Sequence, residues 1–183
     1  MKQNRNNILL VVILIVMGAG TRMINAGLHM PNYAPLVAIS LFAGAVLKDK
    51  KWLAFAVPVL GQLLADVCFG LFTQIPAFYG VSGMLFNYGA LALATLLGTK
   101  TALKPAAAIG GTFAAACVFF MVSNFGFFAE GWNGYSASGL MKTYVDGLPF
   151  FKYTVEGNMV AGVLLFGAWF LVPRAATAKT AKA

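Results

Sequence analysis

The sequence predicts an all-α integral membrane protein, a compact bundle of six transmembrane helices forming one membrane domain over residues 1–183, with the N and C termini in the cytoplasm. Three observations carry this. The 183 residues are 60% hydrophobic and 10% charged, where a soluble domain has roughly a quarter of its residues charged. Six apolar stretches run along the chain. The cations also alternate: Lys2 and Arg5, then Lys48, Lys50 and Lys51, then Lys100 and Lys104, then Arg174, Lys179 and Lys182 fall at every second break between those stretches. Lys and Arg stay on the cytoplasmic side during insertion, so the alternation sets the topology. A net charge of +8 would suit nucleic acid if it formed one patch. Spread over short loops flanking apolar helices, it excludes nucleic acid and points to the lipid bilayer as partner. The implied location is a membrane whose cytoplasmic face carries these cationic clusters.

Span one, about 8–25, starts from a basic head and the run ILLVVILIVM. A cleavable signal peptide is the alternative reading of that pattern. Span two, about 34–47, is short against the 20 or so residues a bilayer needs, and KDKK forms the turn after it. Span three, about 52–72, carries Pro58 and Gly61, where a kink is expected. Span four covers about 84–98. Span five, about 105–128, opens on Pro105, tolerated in a first turn because the missing N–H has no partner there anyway. An outer loop, 129–154, rich in Gly and aromatics, follows. Span six is placed at about 155–172, with a cytoplasmic tail at 173–183. Small residues at four-residue spacing (Ala90, Ala94, Gly98 and Ala106, Gly110, Ala114) mark expected helix contacts. A faint repeat pairs Asn32-Tyr33-Ala34-Pro35-Leu36 with Asn87-Tyr88-Gly89-Ala90-Leu91, each opening a helix that ends at a glycine, Gly44 or Gly98, before a Lys turn.

Two charges have no aqueous home. Counted at 1.5 Å per residue, Arg22 from Ile8 and Asp66 from Trp52 both lie roughly 21 Å from the cytoplasmic face of an about 30 Å core. Asn25, Asn87, Asn124, Glu156 and Asn158 come out at comparable heights. Charges at such depth face a bundle interior and pair. A structural Arg22–Asp66 ion pair is one reading. The other is an outward-facing pocket in which Arg22, Asn25, Asp66, Asn87, Asn124, Glu156 and Asn158 orient a small polar solute, beneath a lid or aromatic belt of Trp132, Tyr135, Tyr144, Phe150 and Phe151.

Nothing in the sequence suggests catalysis: it has no His/Glu/Cys metal spacing and no Gly-rich phosphate loop followed by Lys. No cofactor is expected. Cys68, two residues from Asp66, is read as a small buried hydrophobe, with a thiolate ligand to a soft metal as the remote alternative.

The residues Arg22, Pro31-Asn32-Tyr33-Ala34-Pro35-Leu36, Ala65-Asp66, Ser123-Asn124-Phe125-Gly126 and Gly147-Leu148-Pro149-Phe150-Phe151 make the chain similar to an uncharacterised family of small six-span bacterial membrane proteins labelled as transport proteins. In architecture it more distantly resembles the S components of energy-coupling-factor vitamin transporters. Segment one is bulky aliphatic until Gly18, a departure from the Ala-x-x-x-Ala-like stripe on the first helix of S components. The resemblance implies a bacterial cytoplasmic membrane and the binding and transport of a small solute or vitamin, with energising transporter subunits as partners. The competing expectation is a non-catalytic scaffold or assembly subunit.

Overall fold

In a computed structural model of the chain, residues 2–30, 32–73 and 81–171 are described. They form six α-helices, α1 (Lys2–Gly27), α2 (Leu36–Val46), α3 (Lys51–Phe72), α4 (Val81–Lys100), α5 (Pro105–Ala129) and α6 (Ala137–Leu171), with a single 3-10 turn at Lys48–Lys50 between α2 and α3. There is no strand among the described residues. Helices α1, α3, α4, α5 and α6 are long and apolar enough to cross a membrane, which makes this a multi-pass membrane protein by composition and length. The expected tail 173–183, with Arg174, Lys179 and Lys182, and most of the α3–α4 connection lie outside the described residues.

Helix α2 does not fit the pattern of its neighbours. Its 11 residues span about 17 Å, little more than half of a bilayer core. Leu36 through Ala45 are all buried, because α2 is surrounded by α3, α4, α5 and α6, with α1 on its flank. Close approach to α4 requires glycine. A Cβ on Gly44 would collide with the Thr95 carbonyl oxygen, and one on Gly98 with the Leu41 carbonyl oxygen. The two glycines that end the repeated segments are thus where those segments pack against each other.

The start of α2 is fastened from afar. Its N-cap position is Pro35, which supplies no side-chain cap. The Ala38 N–H, which has no acceptor within α2, donates instead to Asn158 Oδ1 at 2.8 Å, and Asn158 Nδ2 donates to Thr154 O at 2.7 Å and to Ala34 O at 3.4 Å. Gly157 lets the chain come this close, since a Cβ there would meet the Tyr33 carbonyl.

The expected loop 129–154 is corrected by the structure. Only residues 130–136 connect α5 to α6, and the span placed at 155–172 is the second half of a 35-residue helix. α5 ends in a Schellman motif: Gly131, at φ +78°, donates to Phe128 O, and Trp132 donates to Phe127 O. Ser136 Oγ then accepts from Gly139 N at 3.0 Å, an N-cap that starts α6. The residues that resembled loop composition are helical. Lys142–Asp146 and Lys152–Glu156 are i,i+4 ion pairs, Gly147 packs on Asn124 and Gly162 on Thr112, and Pro149 is accommodated within the helix. At about 52 Å, α6 outruns a 30 Å core.

The stripe Ala106, Gly110, Ala114 also needs correction. These residues are exposed, while Ala108, Thr112, Ala115 and Ala116 form the buried face of α5. Two positions off the buried face, about 200° around the helix, that stripe points away from the bundle. Ala90, Ala94 and Gly98 do face inward.

Gly98→Ala is expected to destabilise the detergent-solubilised protein by at least about 3 kcal/mol, the upper range for overpacking, because backbone rather than a movable side chain must yield. Gly110→Ala is expected to leave melting unchanged. Thermal denaturation of the two variants checks both.

Candidate functional site

The polar groups of α1, α3 and α4 meet near the C-terminal ends of α1 and α3 and the N-terminal half of α4. Ala19, Ala65 and Phe69 form a small apolar cluster between α1 and α3, so the two helices approach closely where Arg22 and Asp66 stand. Arg22 Nη2 lies 3.3 Å from Asp66 Oδ1, and Arg22 Nη1 donates to Gln62 Oε1 at 3.0 Å. Gln62, one turn before Asp66 on α3, donates from Nε2 to both carboxylate oxygens, at 3.1 and 3.0 Å. Tyr88 of α4 donates its hydroxyl to Asp66 Oδ2 at 3.1 Å. The guanidinium also sits 5.4 Å from the centre of the Phe69 ring. Every Asp66 oxygen therefore has two donors, and its side chain is only 4% exposed, against 25% for Arg22. Asp66 is consumed by the protein, whereas Arg22 keeps donors to spare.

Arg22 and Gln62 open onto a cavity of about 330 Å³. Its polar lining comprises Asn32, Asn87, Ser123, Asn124, Asn133, Thr143, Asp146 and Thr154, and its apolar lining Phe119, Phe120, Phe127, Phe150, Phe151 and Trp132. Helices α5 and α6 supply most of this wall, and Gly147 permits their approach by lying directly against the Asn124 amide oxygen. The rim is tied down by the α5–α6 connection. Asn133 Nδ2 donates to Thr143 Oγ1 and Asp146 Oδ2, and Glu130 accepts from the Trp132 indole at 3.0 Å and from the Gly83 N–H of α4 at 2.6 Å. One carboxylate thus holds both an aromatic wall residue and the first turn of α4, where an anion is favoured by the helix dipole.

Of the residues expected at a ligand site, Arg22, Asn87, Asn124, Trp132, Phe150 and Phe151 line this cavity, and Asp66 stands behind Arg22. The others do not. Asn25 faces a separate apolar cleft between α1 and α6. Glu156 is half-exposed and pairs with Lys152, because α6 turns that face outward. Asn158 is fully buried and its amide is occupied by α2. Tyr135 is exposed, and Tyr144 spends its hydroxyl on Met121 O at 2.8 Å. Cys68 belongs to no group of three metal-ligating side chains among the described residues.

Gln62 and Tyr88 are additional members of the Asp66 network, and Asn32, Ser123, Asn133, Thr143, Asp146 and Thr154 are additional lining residues. Gln62 carried a readable signal, its i,i+4 spacing to Asp66 on one helix face. Those on α6 were hidden by reading its first half as loop.

The chain belongs to a family of unknown function, DUF6580, matched over residues 2–180. No curated protein and no solved structure matches it.

Asp66→Ala is expected to cost about 3 kcal/mol, the cost of leaving a largely buried charge unpaired. Arg22→Ala is expected to cost at least as much, since the carboxylate it leaves unpaired is the more buried of the two, 4% exposed against 25%. The double variant should fall short of the sum, and a double-mutant cycle on detergent melting measures the difference. Asn158→Leu leaves the buried Ala38 N–H without an acceptor and is expected to cost about 1–3 kcal/mol, read in the same assay.

Proposed function

We propose that this DUF6580 chain is a solute-binding or transport protein of a bacterial cytoplasmic membrane, with six spans, both termini in the cytoplasm and a non-catalytic, outward-facing pocket for a small polar solute. The observation that carries the reading is the cavity joining Arg22 to a ring of amides and aromatics in the half of the bundle away from the lysine turns. The positive-inside rule assigns Lys48, Lys50, Lys51, Lys100 and Lys104 to the cytoplasm, so the cavity faces out. An apolar-walled concavity with a few converging polar groups is the usual form of a small-molecule site. A cation this deep is otherwise expensive to retain. The resemblance to transport proteins and S components favours the same reading, and partner subunits are the proposed source of energy.

The competing reading is a scaffold whose ion pair is structural. The closure of all Asp66 acceptors by internal donors favours it at that residue. It leaves the spare donors of Arg22 and the amide and aromatic lining without a purpose.

Filling the cavity separates the two. Asn87→Phe places a ring in the space without touching the Asp66 network. A binding protein purified from its own membrane is expected to carry a small molecule detectable by mass spectrometry, and Asn87→Phe to lose it while melting normally. A scaffold carries no such molecule in either form.

A further inference from the structure

We infer that the solute is a planar aromatic or heteroaromatic monocarboxylate whose carboxylate sits on Arg22. The inference deepens the pocket reading above and rests on it. Arg22 has five N–H donors and no acceptor. Two nitrogens are engaged within the protein, Nη1 with Gln62 and Nη2 with Asp66, and the buried Nε has no acceptor. Whatever meets the guanidinium must therefore accept hydrogen bonds. A carboxylate does so with charge assistance, through the hydrogens that Nη1 and Nη2 do not give to Gln62 and Asp66. Asp66 does not compete for that place, because its oxygens are already filled by Gln62, Tyr88 and Arg22.

Charge sets the upper limit. Among the described lining residues Arg22 is the one cation and Asp146 the one anion, while Asp66 already offsets Arg22 from behind. With Asp146 counted, Arg22 and Asp66 leave the site at net −1, and a phosphate dianion would add two further negative charges. A monocarboxylate brings one, directly onto the donor. Shape sets the rest. Phe120 and Phe151 lie with ring centres 4.5 Å apart, and with Phe119, Phe127, Phe150 and Trp132 they form walls suited to a flat ring. The cavity, about 330 Å³, is at the small end of ligand sites, which run from about 300 to 1,000 Å³, so one or two rings fit.

The test compares near-isosteres in which the acceptor-only, charged carboxylate is replaced by a neutral group carrying N–H donors. Benzoate, 4-hydroxybenzoate and trans-cinnamate are titrated against the full chain in nanodiscs, each beside its primary carboxamide, with melting shift and tryptophan fluorescence as readouts. At least one acid is expected to bind ten-fold or more tightly than its amide, since an amide turns N–H donors toward a donor-only guanidinium. Arg22→Gln is expected to erase that ratio and Arg22→Lys to keep part of it. The ratio in the unaltered protein decides the matter even where a variant does not fold. Equal binding of acids and amides overturns the carboxylate while leaving the pocket. If no probe binds, the aromatic carboxylate is overturned, and the Asn87→Phe comparison decides separately whether the pocket stands.

Discussion

A short helix wrapped in other helices must satisfy its backbone without water, and much of this bundle answers to that constraint. The Ala38 N–H at the start of α2 lies in a helix buried from Leu36 through Ala45, away from water. An orphaned backbone donor in an apolar interior costs several kcal/mol. Asn158 meets the need with one side-chain oxygen, while its own amide hydrogens go to Ala34 and Thr154 carbonyls. Gly157 and the Gly44–Gly98 contact supply the room. Because α2 touches every other helix, these few atoms fix where α4, α5 and α6 stand, and hence the walls of the cavity.

The Arg22 site follows a second rule of low-dielectric interiors, that a buried charge must be both paired and fully hydrogen-bonded. Asp66 meets it completely. Arg22 meets it in part, and the difference between the two partners gives the site its polarity: acceptors closed, donors open. An ion pair that served packing alone would gain from closing both. Aromatic residues on α5 and α6 then surround the open side, and the Glu130 carboxylate anchors their connection to α4.

Much of the fold was legible in the sequence. The apolar runs located α1, α3, α4, α5 and the second half of α6, and counting residues from the helix starts brings Arg22 and Asp66 to one height. Pro105 and the Lys48–Lys51 turn marked their boundaries. The first half of α6 was not legible, because Gly139, Gly147, Pro149 and the charged residues Lys142, Asp146 and Lys152 have loop composition. Only the three-dimensional setting shows that the glycines are contact points and the charges are i,i+4 partners. Asn158 was misread for a related reason. A buried asparagine on an inner helix face looks alike from sequence whether it serves a solute or a backbone N–H 120 residues away. The amides of the cavity itself were only partly legible: Asn87 and Asn124 stood out by depth, whereas Asn133 and Thr143 are set by a connection whose length was overestimated.

That separation has a consequence in time. Ala38 emerges from the ribosome long before Asn158 does, so α2 cannot be finished when it is made. Until α6 arrives, the nascent chain holds a short, uncapped helix too brief to sit across a membrane by itself. The start of the central helix is thus completed last, by the final helix, and a chain that stops before Asn158 can pack α2 against α3, α4 and α5 but leaves the Ala38 N–H without its acceptor.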